Sequence, residues 1–396
     1  MNYIDFTNKD NTATVFLKGH IDSSNAPDIE KEIGEALSKE KFEHLVVDAE
    51  ELKYISSAGL RIILRLKKEH PDFKIVNVPN EIYEIFDMTG FAEMMTIEKA
   101  YRKFSVDGCE LIGKGANGSV YRYDEDTIVK VYNEFSSLDD IKREREMARK
   151  ALILGIPTAI PYDVVKVGDK YGSVFELLNA DSFAELLISG QKTMDEIVDM
   201  AVELAKQIHN TPVKDGEMPY IKDTALGWVD FLKDHLPKEE YEKLNKMVND
   251  IPREHHMLHG DYHIKNVMMQ NGEVLLIDMD TLCVGHPIFE LASVYNAYIG
   301  FNSADHSIAK DFLGLDWDDS VLFFNKFMHK YLEGRSEEEI EEIGKKAAVL
   351  GFTRILRRTI KRFGYEDGKP LIDKARECLD KYIFEIDSLY FDTGIE

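Results

Sequence analysis

Residues 258–281 constrain the fold of this chain more than any other part of the sequence. A short apolar entry leads into a polar loop in which Asp261 and Asn266 stand five positions apart. Two short β-type runs then flank Asn271-Gly272, a dipeptide typical of a tight hairpin turn. The second run ends at Asp278. The sequence therefore predicts a hairpin that brings two carboxylates and one amide side chain to a single place.

Such a group of side chains suits phosphoryl transfer, a reaction that needs little covalent help from the protein. A carboxylate can orient the attacking hydroxyl group, while an amide oxygen and a second carboxylate can hold magnesium on the phosphates. On this interpretation Asp261 is the catalytic carboxylate, and Asn266 and Asp278 are the metal ligands. The alternative is a polar turn that caps a hairpin, with acidic side chains that are only solvated.

The segment resembles the catalytic segment of the aminoglycoside phosphotransferase and choline kinase group, which has a protein-kinase-like fold. The matching residues are His259-Gly-Asp261, Asn266 and the Ile-Asp pair that ends at Asp278. The resemblance implies that Asp261 is the base, and that Asn266 and Asp278 bind the metal. Asp280 would be an additional carboxylate that some members of the group have.

A glycine-rich stretch lies upstream, between two strand-like runs. Gly113, Gly115 and Gly118 fit the pattern G-x-G-x-x-G, in which glycines let backbone N–H groups approach phosphates. A Rossmann turn would open a helix, whereas a strand-like run follows here. The pattern therefore predicts a hairpin that covers the phosphates of a nucleotide.

A lysine and a helix carboxylate complete a nucleotide site of this kind. Lys130 lies in the next strand-like run, where it would hold the α- and β-phosphates; the alternative is a solvent-facing lysine on a half-buried sheet. From the spacing we predict that Glu146, rather than Glu144, pairs with Lys130. Glu176 and Leu178 resemble the interlobe hinge, whose backbone would bind the adenine edge; the alternative is an ordinary buried strand.

The first hundred residues alternate short strands with helical periodicity, which predicts a small α/β domain. Ser56 or Ser57 would cap its second helix, where a helix amino terminus also favours an anion. The patterns at 17–22, S-S-A-G-L around Ser57 and F-D-M-T-G-F at 86–91 resemble a STAS domain of the anti-sigma-factor antagonists. The resemblance implies phosphorylation of Ser57; the alternative is that Ser57 is only a helix cap.

Together these patterns predict an α/β STAS domain followed by an α+β bilobal protein-kinase-like domain with a largely helical carboxy-terminal lobe. The STAS domain would span residues 1–103, the amino-terminal lobe 104–178 and the carboxy-terminal lobe 179–396. Because no Pro-, Gly- or Ser-rich linker separates the domains, we expect them to lie close together.

Composition restricts the partners and the compartment. The net charge of −24 argues against a nucleic-acid binder, although magnesium, a lysine and backbone N–H groups can still bind ATP locally. No apolar stretch approaches the ~20 residues that span a bilayer, and the first residues lack a signal-peptide pattern. We therefore expect a cytoplasmic protein without membrane contact, in which the three widely spaced cysteines are free thiols.

Three further features of the carboxy-terminal half concern side-chain roles. Glu290 resembles a residue that braces the catalytic loop through hydrogen bonds, and His209 resembles a structural helix-end histidine. A basic cluster stands out against the acidic background; it consists of Arg354, Arg357, Arg358, Lys361 and Arg362. On a helix Arg354, Arg358 and Lys361 share a face. The cluster would either form salt bridges with acidic helices or clamp an anionic substrate or the STAS surface.

The leading hypothesis is an ATP- and Mg²⁺-dependent phosphotransferase that acts on a hydroxyl group of a small molecule. The STAS domain would then serve regulation or assembly through a protein partner. The sequence has no D-F-G, no A-P-E and no long activation segment, which favours a small acceptor over a polypeptide. One alternative is a signalling kinase that phosphorylates Ser57 or a partner protein. A second alternative is a nucleotide-binding scaffold without catalysis.

Overall fold

In the computed structural model, which describes residues 3–115 and 117–395, the chain divides into two compact units. They are Met1–Phe104 and Ser105–Glu396, and each has a hydrophobic core of its own. Among the described residues, no helix combines the length and the apolar character that crossing a membrane requires. The three cysteines are free thiols.

The first unit is a five-stranded sheet with helices. Its elements are β1 (Ile4–Lys9), β2 (Thr12–Ile21), α1 (Ala26–Ser38), β3 (His44–Ile55), α2 (Ser57–Glu69), β4 (Lys74–Val78), α3 (Asn80–Met88), α4 (Phe91–Met94), β5 (Thr96–Lys99) and a short last strand, β6 (Arg102–Phe104). The sheet order is β1-β2-β3-β4-β5, and only β1 runs antiparallel to its neighbour. Two adjacent parallel strands need a crossover connection, which is usually a helix. This explains why strand and helix periodicity alternate in the sequence of this unit.

The start of α2 explains the S-S-A-G-L pattern. Ser56 caps the helix, because its side chain accepts a hydrogen bond from the Ala58 amide at 3.2 Å. Ser57 is the first helical residue and is exposed. A Cβ atom on Gly59 would lie 2.6 Å from a side-chain carbon of Ile55, so only glycine permits this close packing of helix on strand. The cap is therefore Ser56, and the hydroxyl group of Ser57 is not needed for it.

The second unit begins with an antiparallel sheet and one helix. The elements are β7 (Glu110–Lys114), β8 (Gly118–Arg122), β9 (Thr127–Tyr132), α5 (Leu138–Ile153), β10 (Pro161–Val167) and β11 (Lys170–Glu176). Within this unit the strand order is β10-β11-β9-β8-β7. Ser137 and Asp140 form a reciprocal capping box that fixes the start of α5, and this helix packs on β10 and β11.

The remainder of the second unit is mainly helical, as the periodicity predicts. Its helices are α6 (Phe183–Ile188), α7 (Met194–His209), α8 (Ile221–Phe231), α9 (Lys238–Asp250), α10 (Ile288–Tyr295), α11 (Ser307–Leu313), α12 (Trp317–Tyr331) and α13 (Glu337–Ile383). Its short strands are β12 (Asp181–Ser182), β13 (Met257–Leu258), β14 (Val267–Gln270), β15 (Glu273–Leu276) and β16 (Cys283–Val284). A non-helical Gly364, with φ +69°, divides α13 into two helical parts.

The predicted hairpin is present as β14 and β15. Asn271 and Gly272 connect the strands, and both have positive φ, as a type I′ turn requires. Hydrogen bonds within the hairpin and from Ile277 to the Asn266 carbonyl, at 2.9 Å, fix the register in which the second strand leads to Asp278.

Candidate active site

Buried hydrogen bonds hold the loop that follows β13. The Glu290 carboxylate, 1 % exposed, accepts hydrogen bonds from the backbone amides of His259 at 2.5 Å and Gly260 at 3.0 Å. Gly260 has φ +79°, and a Cβ atom there would lie 2.6 Å from the Thr281 carbonyl oxygen. The loop is therefore clamped on both sides, and the expected bracing role of Glu290 is confirmed.

Asp261 and Asn266 lie together in this loop. Asn266 donates a side-chain hydrogen bond to the Asp261 carbonyl oxygen at 2.9 Å, which leaves its own amide oxygen for another partner. The Asp261 amide donates to Nδ1 of His259 at 3.3 Å, and Nε2 of His259 donates to the Ile277 carbonyl at 3.0 Å. His259 thus ties the loop to the end of the hairpin, two elements that must stay in register for the site to form.

The environment of Asp261 keeps it ionised. Burial acts to raise its pKa, but a hydrogen bond and charge from His263, together with the charge of Arg354, outweigh burial. The pKa of Asp261 is therefore held well below its ordinary value. A carboxylate with a low pKa is a weak proton acceptor, so its environment favours orienting a hydroxyl group over removing a proton early.

Lys130 on β9 meets two carboxylates from distant parts of the chain. Its ammonium group lies 2.6 Å from Oε1 of Glu144 and 3.0 Å from Oδ1 of Asp278. Burial acts to lower the pKa of Lys130, but the charges of Asp278 and Glu144 prevail and raise it above its ordinary value. The lysine is therefore a fixed positive charge between the sheet and the hairpin.

The predicted partner of Lys130, Glu146, is wrong. Glu144 is 5 % exposed and lies on the helical stripe of α5 that includes Ile141 and Ala148, which faces the protein interior. Glu146 is exposed, because two residues further along a helix the side chain points to nearly the opposite side. Tyr132 supports the choice of Glu144, since its hydroxyl group donates to Oε2 at 2.9 Å.

Three carboxylates converge next to the lysine. One oxygen each of Glu144, Asp278 and Asp280 lie within 4.8 Å of one another. Asp278 has φ +65°, an uncommon conformation that turns the chain directly after the hairpin. Both oxygens of Glu144 already accept hydrogen bonds, from Lys130 and from Tyr132, so Asp278 and Asp280 are better placed for a cation. Neither Glu144 nor Asp280 had been given a role in the nucleotide site from the sequence.

Crowding of these acids changes the protonation of Asp280. Burial and the negative charges of Asp278 and Glu144 raise the pKa of Asp280 to about 7. Asn117, in the glycine-rich stretch, donates a hydrogen bond to Oδ2 of Asp280 at 2.9 Å. Negative charges held this close are typical of sites that await a cation.

The glycines of the predicted phosphate loop differ in whether the surrounding structure has room for a side chain at their positions. A Cβ atom on Gly118 would lie 2.2 Å from the Val131 carbonyl oxygen, so this glycine is required by the neighbouring strand. A Cβ atom on Gly115 would meet nothing within 4 Å, and one on Gly113 would make ordinary contact with Val120. Ala116, within the same predicted loop, lies outside the described residues.

The predicted hinge residues lie at the end of β11. The Glu176 amide donates to the Ile160 carbonyl at 3.0 Å, and the Glu176 carboxylate accepts from the Ile160 amide at 3.2 Å. Only the carbonyl group of Glu176 could therefore face a bound base. Leu178 follows the strand and is partly buried. The adenine-binding role of both residues stays a prediction.

Sequence reasoning brought Lys130, Asp261, Asn266 and Asp278 into one group. In the structure Lys130 contacts Asp278, Asn266 bonds to Asp261, and the Asn266 carbonyl accepts from Ile277, the residue before Asp278. Sequence reasoning missed Asn117 and Tyr132. A signal for Asn117 existed, since it lies inside the glycine-rich pattern. Tyr132 stands two positions after Lys130 on the same strand face, which periodicity alone could have shown.

The comparisons with known proteins agree with this architecture. The model of the phosphotransferase enzyme family matches residues 108–318, just over half of the chain, and the STAS domain model matches residues 3–103. BtrV of Bordetella bronchiseptica, named as a proposed anti-sigma factor antagonist, is 29% identical over 85 residues, which cover 20% of this chain and 72% of BtrV.

Solved structures similar to this one include two kinases. ADP-bound aminoglycoside phosphotransferase APH(2'')-Ib is 17% identical, with a TM-score of 0.46, and the match covers 69% of this chain and 92% of that chain. A choline/ethanolamine kinase family protein from Mesorhizobium loti is 14% identical, with a TM-score of 0.43, and the match covers 70% and 92%. The predicted resemblance and fold class are confirmed: this chain belongs to the phosphotransferase enzyme family and carries an amino-terminal STAS domain.

Proposed function

We propose that the second unit transfers the γ-phosphate of ATP to a hydroxyl group of a small molecule. The observation that carries this proposal is the position of the Lys130 ammonium group, 3.0 Å from Asp278 and 2.6 Å from Glu144. A lysine held by a helix carboxylate beside an acidic hairpin end is the arrangement that positions a nucleotide triphosphate in kinase-like folds.

The residues around Lys130 fit a magnesium nucleotide. Asp278 and Asp280 lie together, and with the amide oxygen of Asn266 they would offer oxygen donors only, the type of donor that Mg²⁺ prefers. When bound, the ion would neutralise the charge of the β- and γ-phosphates. Lys130 would then turn from Asp278 to the α- and β-phosphates, while Glu144 keeps hold of it. Gly115 offers backbone without a side chain for the approach of the triphosphate.

The acceptor side of the site suits a small hydroxylated molecule. Asp261, ionised and fixed by its backbone bonds to His259 and Asn266, would orient the attacking hydroxyl group. Helix α10 begins ten positions after Asp278, so no long segment between them is present to dock a polypeptide. This short connection supports the choice of a small acceptor.

The test combines nucleotide binding with a transfer screen. We expect the wild-type chain to bind Mg-ATP by calorimetry and to transfer labelled phosphate to at least one member of a panel of hydroxylated metabolites. Asp261→Asn should retain nucleotide binding and lose transfer by ~10²–10⁴-fold. Binding without transfer to any acceptor would instead indicate a scaffold. Absence of nucleotide binding, or equal transfer by Asp261→Asn, would contradict the proposal.

A second candidate function is phosphorylation of Ser57 in the STAS domain. The observation that favours it is the exposed position of Ser57 at the start of α2, with the capping role taken by Ser56. A phosphate there would meet unpaired backbone N–H groups and the positive end of the helix dipole. Mass spectrometry after incubation with Mg-ATP should find a phosphate on Ser57 that is absent in Asp261→Asn. An unmodified Ser57 would exclude self-phosphorylation.

A further inference from the structure

The basic face of α13 lies beside the catalytic loop. Arg354 donates a hydrogen bond from Nη1 to the Gly260 carbonyl oxygen at 2.9 Å, directly next to Asp261. Arg358 follows one helical turn later, with its guanidinium group 4.9 Å from the ring centre of Phe301. Arg354 therefore lies beside the loop that carries Asp261, which is where the proposed function puts the acceptor.

These arginines have no carboxylate partners. Within residues 3–115 and 117–395, no ion pair joins an Asp or Glu to any member of the basic cluster, which comprises Arg354, Arg357, Arg358, Lys361 and Arg362. The salt-bridge interpretation of the cluster is therefore wrong. The second part of the same helix behaves differently, since Arg376 pairs with Glu240 and Asp380.

The positive charge of this face is offset in part by Asp261. Burial and the like charges of Arg362 and Arg354 lower the pKa of Arg358, and Asp261 is the carboxylate whose charge acts in the opposite direction. Like charges held near one another in a partly buried place destabilise one another, and a bound anion would remove that cost. The Asp261 carboxylate cannot act as this anion during the proposed reaction, because it must face the hydroxyl group of the acceptor.

Two aromatic side chains accompany the arginines. Arg354 lies 5.7 Å from the ring centre of Trp228, and Arg358 lies over Phe301. Stacking holds a guanidinium group in one plane, which leaves its edge free for a planar carboxylate or for phosphate oxygens. Arg354 is partly buried and Arg358 is exposed, so an anion from solvent could reach the guanidinium group of Arg358.

We propose that the phosphate acceptor is an anion: a hydroxylated small molecule whose carboxylate or phosphate group is bound by Arg358 beside Asp261, with Arg354 holding the loop. This inference rests on the proposed function and names the substrate class of the same site. A polycation such as an aminoglycoside would be repelled by this face.

The test uses the fluorescence of Trp228, which adjoins Arg354. Of the two tryptophans, Trp317 is replaced by Phe so that Trp228 is the sole reporter in the full-length chain. Gluconate, glucose 6-phosphate, neutral glucose and cationic kanamycin are titrated, with Mg²⁺ and a non-hydrolysable ATP analogue at saturation. We expect a saturable change with the two anions at concentrations at which glucose and kanamycin give none.

Substitution then locates the binding site. Arg358→Gln should weaken anion binding by about tenfold or more, the loss expected for one charge-assisted contact. Arg358→Lys keeps the charge but loses the planar guanidinium group that can make two parallel hydrogen bonds. Its affinity for the anions should therefore lie between those of the wild type and Arg358→Gln. Lys369→Gln is the matched control, because it removes the same charge from the same helix, where Lys369 forms only an exposed pair with Asp373.

The outcomes separate the two proposals. The inference would be overturned if all four probes gave an equal response, or if neither anion gave one. It would also be overturned if kanamycin bound most tightly, or if Arg358→Gln left anion binding unchanged. None of these bears on nucleotide binding, which is measured separately with Asp261→Asn. Conversely, a chain that binds no nucleotide but binds anions through Arg358 would contradict the proposed function and leave the anion receptor in place.

Discussion

The Lys130 ammonium lies between Glu144 and Asp278, and only Glu144 is held from its other side by Tyr132. Replacing Glu144 by Gln keeps the shape and removes the charge that fixes the lysine. We expect Glu144→Gln to lower kcat/KM for ATP by about 100-fold, because a misplaced lysine no longer meets the phosphates. The matched control is Glu146→Gln, which should change kcat/KM less than about twofold, since Glu146 is exposed. A larger effect at Glu146 would show that the lysine changes partner when nucleotide binds.

Asp280 gives a prediction about stability and pH in the absence of metal. Its pKa is raised to about 7 by burial, Asp278 and Glu144, whereas an unfolded chain has the ordinary value of 3.8. The folded state therefore binds the proton more tightly than the unfolded state. The ionised Asp280 costs no stability at a pH below its pKa in the unfolded chain. The cost grows as the pH rises from that pKa to the pKa in the folded chain, and it is complete above about pH 7.

Asp280→Asn removes this cost, so in EDTA it should raise the unfolding temperature by about 3 °C at pH 8 and by less at pH 5. Unfolding followed by tryptophan fluorescence measures it, with Asp311→Asn as an exposed control. An equal gain at both pH values would mean that the side-chain change itself, and not the proton, stabilises the fold.

At the scale of elements, the glycines of the β7–β8 hairpin differ in how tightly they are packed. A methyl group on Gly118 would press against the Val131 carbonyl of β9, whereas a methyl group on Gly115 meets open space. We expect Gly118→Ala to lower the unfolding temperature of the nucleotide-free chain. Gly115→Ala should leave this temperature within about 1 °C and weaken Mg-ATP binding, because it blocks only the phosphate approach.

Thermal melts and calorimetric titration with Mg-ATP measure the two effects on the same protein samples. If Gly115→Ala binds Mg-ATP normally, the triphosphate does not approach this backbone. If Gly118→Ala is as stable as wild type, the hairpin shifts more easily than its packing indicates.

Elements also set the limit of what the sequence could predict. The hairpin around Asn271-Gly272 could be predicted, because turn chemistry and strand alternation are local, and with it the position of Asp278 soon after the second strand. The partner of Lys130 could not, because spacing along the chain does not say which side of α5 packs on the sheet. The buried stripe through Glu144 settles that question only once the packing is known.

Contacts between distant segments were equally out of reach. Arg354 binds the Gly260 carbonyl from 94 positions away, and nothing in either local sequence indicates it. The sequence could show that Arg354 and Arg358 share a helix face, but not which part of the site that face would meet. The contact between Arg354 and the catalytic loop was therefore a feature that only the structure could describe.

At the scale of the whole molecule, the hydrophobic residues form two separate clusters, one in each unit. Leu45 on β3 is 2 % exposed and belongs to the first cluster, while Leu291 on α10 is fully buried in the second. Both tryptophans, Trp228 and Trp317, belong to the second unit. Tryptophan fluorescence therefore reports unfolding of the phosphotransferase unit alone, whereas far-ultraviolet circular dichroism reports both units.

This asymmetry allows one experiment on the intact chain to ask whether the units share stability. Leu45→Ala leaves a cavity in the first core and should destabilise it by about 2–5 kcal/mol. If each core stabilises only its own unit, circular dichroism shows an early transition for the STAS domain while the fluorescence transition stays at the wild-type temperature. Leu291→Ala is the mirror control and should lower the fluorescence transition. A fluorescence transition that falls with Leu45→Ala would instead mean that the two units unfold as one, which is the coupling that a regulatory STAS domain needs to act on the active site.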